Sequence, residues 1–407
     1  MSRFDPEQAM VETRRVFGEH GGVVPSIERS STFSVLEPGT MPEIFAGEKT
    51  PESGGCYLYS RHFNPTVNVL ARYLSAMEGT EAGICTATGM GAITVAILQI
   101  CKMGSHLVTS NTIYGGTHAF IKEVLPDMGV ESTFVDPTDL EAIEAAIRPN
   151  TKMIYVETMG NPKLNIADIP ALSKIAKAHG VKLVVDNTFT PVMVSAKELG
   201  ADIVIYSLTK FVNGASDLMG GAVLGEKEFI FELMDLHTGR AMLLGPTMDS
   251  RVAFDITQRL PLLPLRMREH CRRTQVIAEV MQEMGVEVSY PGLKDHPQHE
   301  LLGSMVNESY GHGGLLTVEC NTVEKANELM SVLQNKEKFG VIAVSLGYYD
   351  TLLSCSGSST SSEISLEEQK KMGLSPGLVR VSIGLTGSLD KRIDQMKRAL
   401  IEVGLAK

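Results

Sequence analysis

The chain has 407 residues, 43% apolar and 21% charged, a balance that excludes a disordered or fibrous protein and suits two or three domains. A net charge of −11 offers no basic surface to nucleic acid or to an anionic membrane. Six cysteines without a CxxC pair and ten histidines without HExxH argue against a disulfide framework or a metal site, and fit a reducing cytoplasm.

The first twenty residues, MSRFDPEQAMVETRRVFGEH, lack the uninterrupted apolar core of a secretory leader. No run of about 18 apolar residues occurs, so a membrane span is not expected. Residues 35–60, rich in Gly, Pro and Glu, read as an irregular arm. The segment 64–79 reads as a helix: Asn64 is a suitable N-cap, Pro65 fits the first turn, Val67, Leu70, Leu74 and Met77 form one stripe, and Gly79 closes it.

From about residue 80 to 225, strand-like and helix-like segments alternate. MIYVET (153–158), KLVVDNT (182–188) and DIVIYS (202–207) are short runs apolar on both faces, and ADIPALSKIAKAHG (167–180) has helical spacing with a terminal glycine. That alternation predicts an α/β fold with a mostly parallel sheet covered by helices on both sides. Ligands bind such sheets at the carboxyl ends of the strands, so the polar residues following each run carry the interest. SCSGSSTSSEIS (354–365) reads as a Ser-rich loop, either a lid or a solvated connection. A last helix over about 389–402 shows Leu389, Ile393, Met396 and Leu400 on one face.

Lys210, Asp186, the Gly89–Met90 turn, Tyr114 and Arg380, each within or just beyond an apolar run or turn, are candidates for the parts of a pyridoxal 5′-phosphate (PLP) site. Such a site needs a lysine to form an imine, an anion cup, an acid facing the pyridine nitrogen, an aromatic ring over the cofactor and an arginine for a substrate carboxylate. Lys210 follows DIVIYS, with the hydroxyls of Ser207 and Thr209 beside it; taken alone, a lysine is usually a solvated charge. Asp186 ends KLVVD, where burial demands a partner, and it also reads as a cap for the next loop. The turn around Gly89 and Met90, in TATGMGAI, precedes an apolar helix and offers N–H groups to an anion, or is simply a tight turn. Tyr114 is placed to stack on a ring or to pack ordinarily. Arg380 interrupts the strand-like LVRVSIG, facing either an inward carboxylate or solvent from an edge strand.

Taken in order, these segments resemble the trans-sulfuration, or Cys/Met-metabolism, family of fold-type I PLP enzymes. VVPSIERSSTF (23–33), YSRHFNPTVNVLARYLSAMEGTEAGICTATGMGAI (59–93), ETMGNP (157–162), VVDNTF (184–189), SLTKFVNG (207–214), AVSLG (343–347) and LVRVSIGL (378–385) follow the family's order along nearly the whole chain. The resemblance implies an aspartate-aminotransferase-like fold with an N-terminal arm (1–60), a large PLP domain (61–255) and a smaller α/β C-terminal domain (256–407). It implies that Gly89, Met90, Ser207 and Thr209 bind the cofactor phosphate, that Asp186 meets the pyridine nitrogen and Tyr114 the ring face, and that Asn161 meets the phenolic oxygen. Lys210 and Tyr114 would be catalytic, and Ser345 and Arg380 would hold the substrate carboxylate. Tyr59 and Arg61 would reach a neighbouring subunit's phosphate in a homotetramer built as a dimer of dimers.

Where cystathionine-using members carry a glutamate, this chain has Val344, which favours an uncharged or differently charged substrate tail. Apolar residues there resemble methionine γ-lyases, yet the cysteine usual in those enzymes is Gly116 here. Ala215, Thr386 and the Ser-rich segment 356–362 also depart from the family pattern, all near the substrate. The expected activity is a γ-elimination lyase for a γ-substituted L-amino acid, with canavanine as a polar example. A γ-replacement transferase using an O-acylhomoserine and a non-catalytic PLP-binding protein are the alternatives.

Overall fold

The computed structural model describes residues 4–13, 17–18, 20–50, 53, 55–307, 309–355, 369 and 373–406. Most of the Ser-rich segment, including 356–362, lies outside them; Ser354 and Cys355 belong to a strand rather than to that loop.

Seven strands make the first sheet: β1 (Ala82–Thr86), β2 (His106–Ser110), β3 (Glu131–Val135), β4 (Thr151–Glu157), β5 (Lys182–Asp186), β6 (Ile203–Ser207) and β7 (Gly221–Gly225). Their order is β1-β7-β6-β5-β4-β2-β3. The pairs from β6 through β3 are parallel, whereas β7 runs antiparallel to both β6 and β1. The three apolar runs expected to be strands are β4, β5 and β6, and they bury nearly every side chain because helices cover both faces.

The helix α1 (Pro65–Glu78) begins as its sequence predicts. The Asn64 side chain accepts from the N–H groups of Thr66 and Val67, and Gly79 ends the helix at φ 78°, a left-handed conformation open to glycine. Leu70, Leu74 and Met77 are fully buried. The helix α2 (Gly89–Ile100) leaves the end of β1, and α3 (Ile169–His179) is capped by Asp168 and closed by Gly180 at φ 64°. One departure is a short helix over Met41–Phe45 within the segment expected to be irregular, with a proline in its first turn.

A second sheet lies further along the chain. It comprises β8 (Val288–Ser289), β9 (Leu315–Glu319), β10 (Val341–Ile342), β11 (Leu352–Cys355) and β12 (Leu378–Ser382), in the order β10-β11-β12-β9-β8. The long helix α4 (Leu263–Glu283) precedes it, and the last helix, α5 (Leu389–Glu402), packs Met396 and Leu400 into its core. No helix among the described residues is long and apolar enough to cross a membrane.

Candidate active site

The carboxyl ends of β1, β4, β5 and β6 lead into Gly89 and Met90, Asn161, Asp186, and Ser207 to Lys210, while Tyr114 follows β2 and Tyr59 and Arg61 precede β1. At β1, Thr88 caps α2 by accepting the Gly91 N–H at 2.9 Å, and the first N–H groups of such a helix have no partner inside it. Gly89 is there for space. A Cβ on it would stand 2.7 Å from both Cβ and Oγ of Ser207, so the backbone of the turn packs against the Ser207 side chain at the end of β6. Ser207 donates its N–H to Thr188 Oγ1 at 2.8 Å, and the Thr209 hydroxyl accepts the Gly220 N–H at 3.1 Å. Gly89 and Ser207 are therefore in close contact where α2 begins, with no room for a side chain at 89, and Met90 and Thr209 stand one and two residues away along the chain; free helix N–H groups and hydroxyls of this kind suit a phosphate.

Asp186 ends β5, buried, and burial pushes its carboxyl upward. Its oxygens accept from the Thr188 hydroxyl (2.5 Å), the Thr188 N–H (3.0 Å) and the Tyr155 hydroxyl (3.2 Å). The contacts to Thr188 are those of a cap for the next loop. All its hydrogen-bond partners are neutral, which suits a protonated pyridine nitrogen as the missing positive charge.

Lys210 is no solvated surface lysine. Its Nζ lies 2.8 Å from Ser345 Oγ, and burial followed by the Arg380 charge pushes its amine down to about 8. The turn behind it is fixed by Arg266, whose guanidinium donates to the carbonyls of Phe211 (2.6 Å) and Val212 (2.9 Å). Ser345 adopts φ 90°, a conformation rare for a residue with a side chain.

Arg380 sits on β12 between β11 and β9, in the middle of the second sheet, and is 3% exposed; the edge-strand alternative fails. It donates from Nη1 to Asn161 Oδ1 at 2.7 Å and from Nη2 to the Ser345 carbonyl at 2.8 Å. Its Nε is buried with no partner among the described residues, which leaves donor capacity for an anion. Lys210, Ser345, Asn161 and Arg380 are thereby one connected group spanning both sheets.

Tyr114 is half-exposed, and a Cβ on Gly116 would lie 2.7 Å from its Cε1 and 3.4 Å from Met90 Sδ. The ring thus leans over Gly116 beside the turn that carries Met90. Val344, next to Ser345, is 67% exposed. Tyr59 and Arg61 lie together, with the guanidinium 5.5 Å from the tyrosine ring and its Nη1 donating to the Met242 carbonyl at 3.0 Å. Among the described residues, no hydrogen bond joins either one to the Lys210 group.

One residue at the centre is absent from the predicted set. Glu157, the last residue of β4, accepts the Tyr114 N–H at 2.7 Å and the Asn161 N–H at 3.0 Å. It stands beside Asp186 in the parallel register of β4 and β5. Burial, then the Asp186 charge, pushes its carboxyl upward. The signal for it in the sequence was the same as for Asp186: a carboxylate ending an apolar strand.

The chain is similar to known proteins along nearly its whole length. The family "Cys/Met metabolism PLP-dependent enzyme" matches residues 8–401. A methionine gamma-lyase from Arabidopsis thaliana is 50% identical over 401 residues, covering 98% of this chain and 91% of that protein. An L-methionine gamma-lyase from Treponema denticola is 38% identical, with 94% and 93% covered. A Campylobacter jejuni chain solved with N′-pyridoxyl-lysine-5′-monophosphate superposes with a TM-score of 0.89 at 27% identity, over 98% of this chain and 100% of that one. The chain belongs to the Cys/Met-metabolism family of fold-type I PLP-dependent enzymes and, like the methionine gamma-lyases it is similar to along nearly its full length, is a PLP-dependent lyase.

Proposed function

We propose that the enzyme catalyses γ-elimination from an L-amino acid with an uncharged γ-thioether, methionine being the type substrate. The observation that carries this reading is Val344, an exposed aliphatic side chain adjoining Ser345 where a charged tail would need a carboxylate. The methionine gamma-lyase names of relatives as similar as 50% identity support it.

In this reading Lys210 attaches the cofactor, Gly89, Met90, Ser207 and Thr209 hold its phosphate, and Asp186 pairs with its ring nitrogen. Tyr114 covers the ring and has the second catalytic place, and Asn161 meets the phenolic oxygen. Bound there, PLP supplies an electron sink for the negative charge that develops at the substrate Cα. Arg380 and Ser345 orient the substrate carboxylate. Lys210, whose amine sits near 8, takes the Cα proton and returns protons along the substrate as the γ-group departs. Water completes the sequence, so methionine would yield methanethiol, ammonia and 2-oxobutyrate. Tyr59 and Arg61 would serve the phosphate of a neighbouring subunit, in a tetramer whose protomers each divide into an arm, a large domain and a small domain near residues 60 and 255.

A substrate panel on PLP-loaded protein tests this. Methionine, homocysteine, cystathionine, O-acetylhomoserine and canavanine are each supplied with and without a thiol, products are read by mass spectrometry, and Lys210→Ala is the control. 2-Oxobutyrate from methionine without added thiol is the expected outcome. Homoserine from canavanine would favour the polar substrate instead. Turnover that requires the thiol would make the enzyme a replacement transferase.

A further inference from the structure

Three backbone segments meet at the end of β4, and one carboxylate ties them. Glu157 is 7% exposed, and each of its oxygens accepts a different main-chain N–H, from Tyr114 on one side and Asn161 on the other. Tyr114 starts a short helix after β2, whereas Asn161 lies in the loop after β4 and passes the contact on, through Oδ1, to Arg380. Two buried donors converging on one point require two acceptors. A glutamine in this place offers one oxygen and turns an amide N–H toward the other donor, and an aliphatic residue leaves both donors unpaired.

We propose that Glu157 is a positioning residue that sets Tyr114 and the Asn161–Arg380 pair at a fixed separation across the active site. The inference rests on the reading of Tyr114 and Arg380 as the cofactor and substrate contacts of a γ-lyase. It adds that their spacing is held by a side chain touching neither ligand. Both of its contacts are to main chain, so the clamp acts on the paths of two loops and on every side chain they carry. Among the described residues Glu157 makes no hydrogen bond to Gly89, Met90, Ser207 or Thr209, so retention of the phosphate end is separable from the clamp, whereas the ring contacts of Tyr114 and Asn161 move with it.

The test uses the PLP-loaded enzyme and Glu157→Gln, with Glu157→Asp as the conservative variant. Methionine kinetics are corrected for bound cofactor, and PLP dissociation is measured separately by absorbance. Glu157→Gln should keep PLP affinity within a few-fold of the parent, lose roughly tenfold to hundredfold in kcat, and show a raised KM. Glu157→Asp should recover part of that loss. A Glu157→Gln enzyme with parental kcat and KM per bound cofactor, altered only in thermal midpoint, overturns the proposal. If neither variant folds, hydrogen exchange on the parent decides: the Tyr114 and Asn161 amides should be strongly protected, and rapid exchange at both overturns the clamp. A parent inactive on methionine defeats the proposed function instead, while the exchange result still reports on Glu157.

Discussion

Gly89 and Ser207 approach so closely that a single methyl group on Gly89 would meet Cβ and Oγ of the serine at 2.7 Å. Two strand ends, β1 and β6, are thus joined at the proposed phosphate cradle, and the contact is made of backbone and one short side chain. Gly89→Ala should spread them. The expected result is a loss of about 1–3 kcal/mol of stability from overpacking and PLP affinity weakened by roughly tenfold, equivalent to about 1.4 kcal/mol. Thermal denaturation and a PLP titration measure both.

Lys210 gives a prediction in pH. Burial and Arg380 push its amine from 10.5 down to about 8, so the neutral base is populated as pH rises through that value. If the released amine takes the Cα proton, kcat should climb through an acidic limb near pH 8 and then level. A profile flat from about pH 6 to 9 would show that another group is the base. Lys210→Ala should lower kcat by roughly a hundredfold to ten-thousandfold.

Val344→Glu tests the specificity reading. The side chain is 67% exposed, so stability should change by no more than about 0.5 kcal/mol. An exposed carboxylate pairing with cystathionine's distal ammonium gains on the order of 0.2–1 kcal/mol, which predicts up to roughly a fivefold shift in kcat/KM from methionine toward cystathionine. Competition assays with both substrates report the ratio directly.

Glu78 connects pH to stability away from the chemistry. It ends α1, buried against the hydroxyl of Tyr206, the Asn187 amide (3.4 Å) and the Lys197 N–H (3.1 Å), and burial raises it from 4.5 to about 7. A carboxyl raised on folding stabilises the native state fully below the unfolded value and loses that contribution as pH rises through the folded one. Between about pH 4.5 and 7 the parent should therefore lose stability relative to Glu78→Gln, by on the order of 3 kcal/mol across the window. Parallel thermal midpoints for the two proteins over that range would count against it.

Much of this was legible before any coordinates. The β4, β5 and β6 runs, the cap at Asn64 and the closing glycines Gly79 and Gly180 are local signals, because caps and apolar runs act through near neighbours in sequence. Lys210, Asp186 and Gly89 stood out as residues of the right chemistry at strand ends, and Arg380 as a charge within a strand. Glu157 did not, although it lies in the quoted segment ETMGNP. Its importance comes from the lateral register that puts β4 beside β5 and from a backbone donor, Tyr114, 43 residues away in the chain. Arg266 was missed for the same reason: its partners, the Phe211 and Val212 carbonyls, are distant in sequence. The short helix over Met41–Phe45 carries too few residues for a periodic pattern to declare itself.

The site draws Lys210, Asp186 and the Gly89 turn from the first sheet and Arg380, Ser345 and Val344 from the second sheet and the segment beside it. If Lys210 carries the reaction and Val344 the substrate preference, as proposed, reactivity and selectivity are encoded in different stretches of chain. In the proposed reading, a chimera that keeps the first sheet and takes its second from a relative of different preference would exchange substrates, provided that it preserves the Ser345 and Arg380 neighbours of Lys210. Drift in one half need not be matched by compensation in the other, except where Asn161 and Ser345 span the seam.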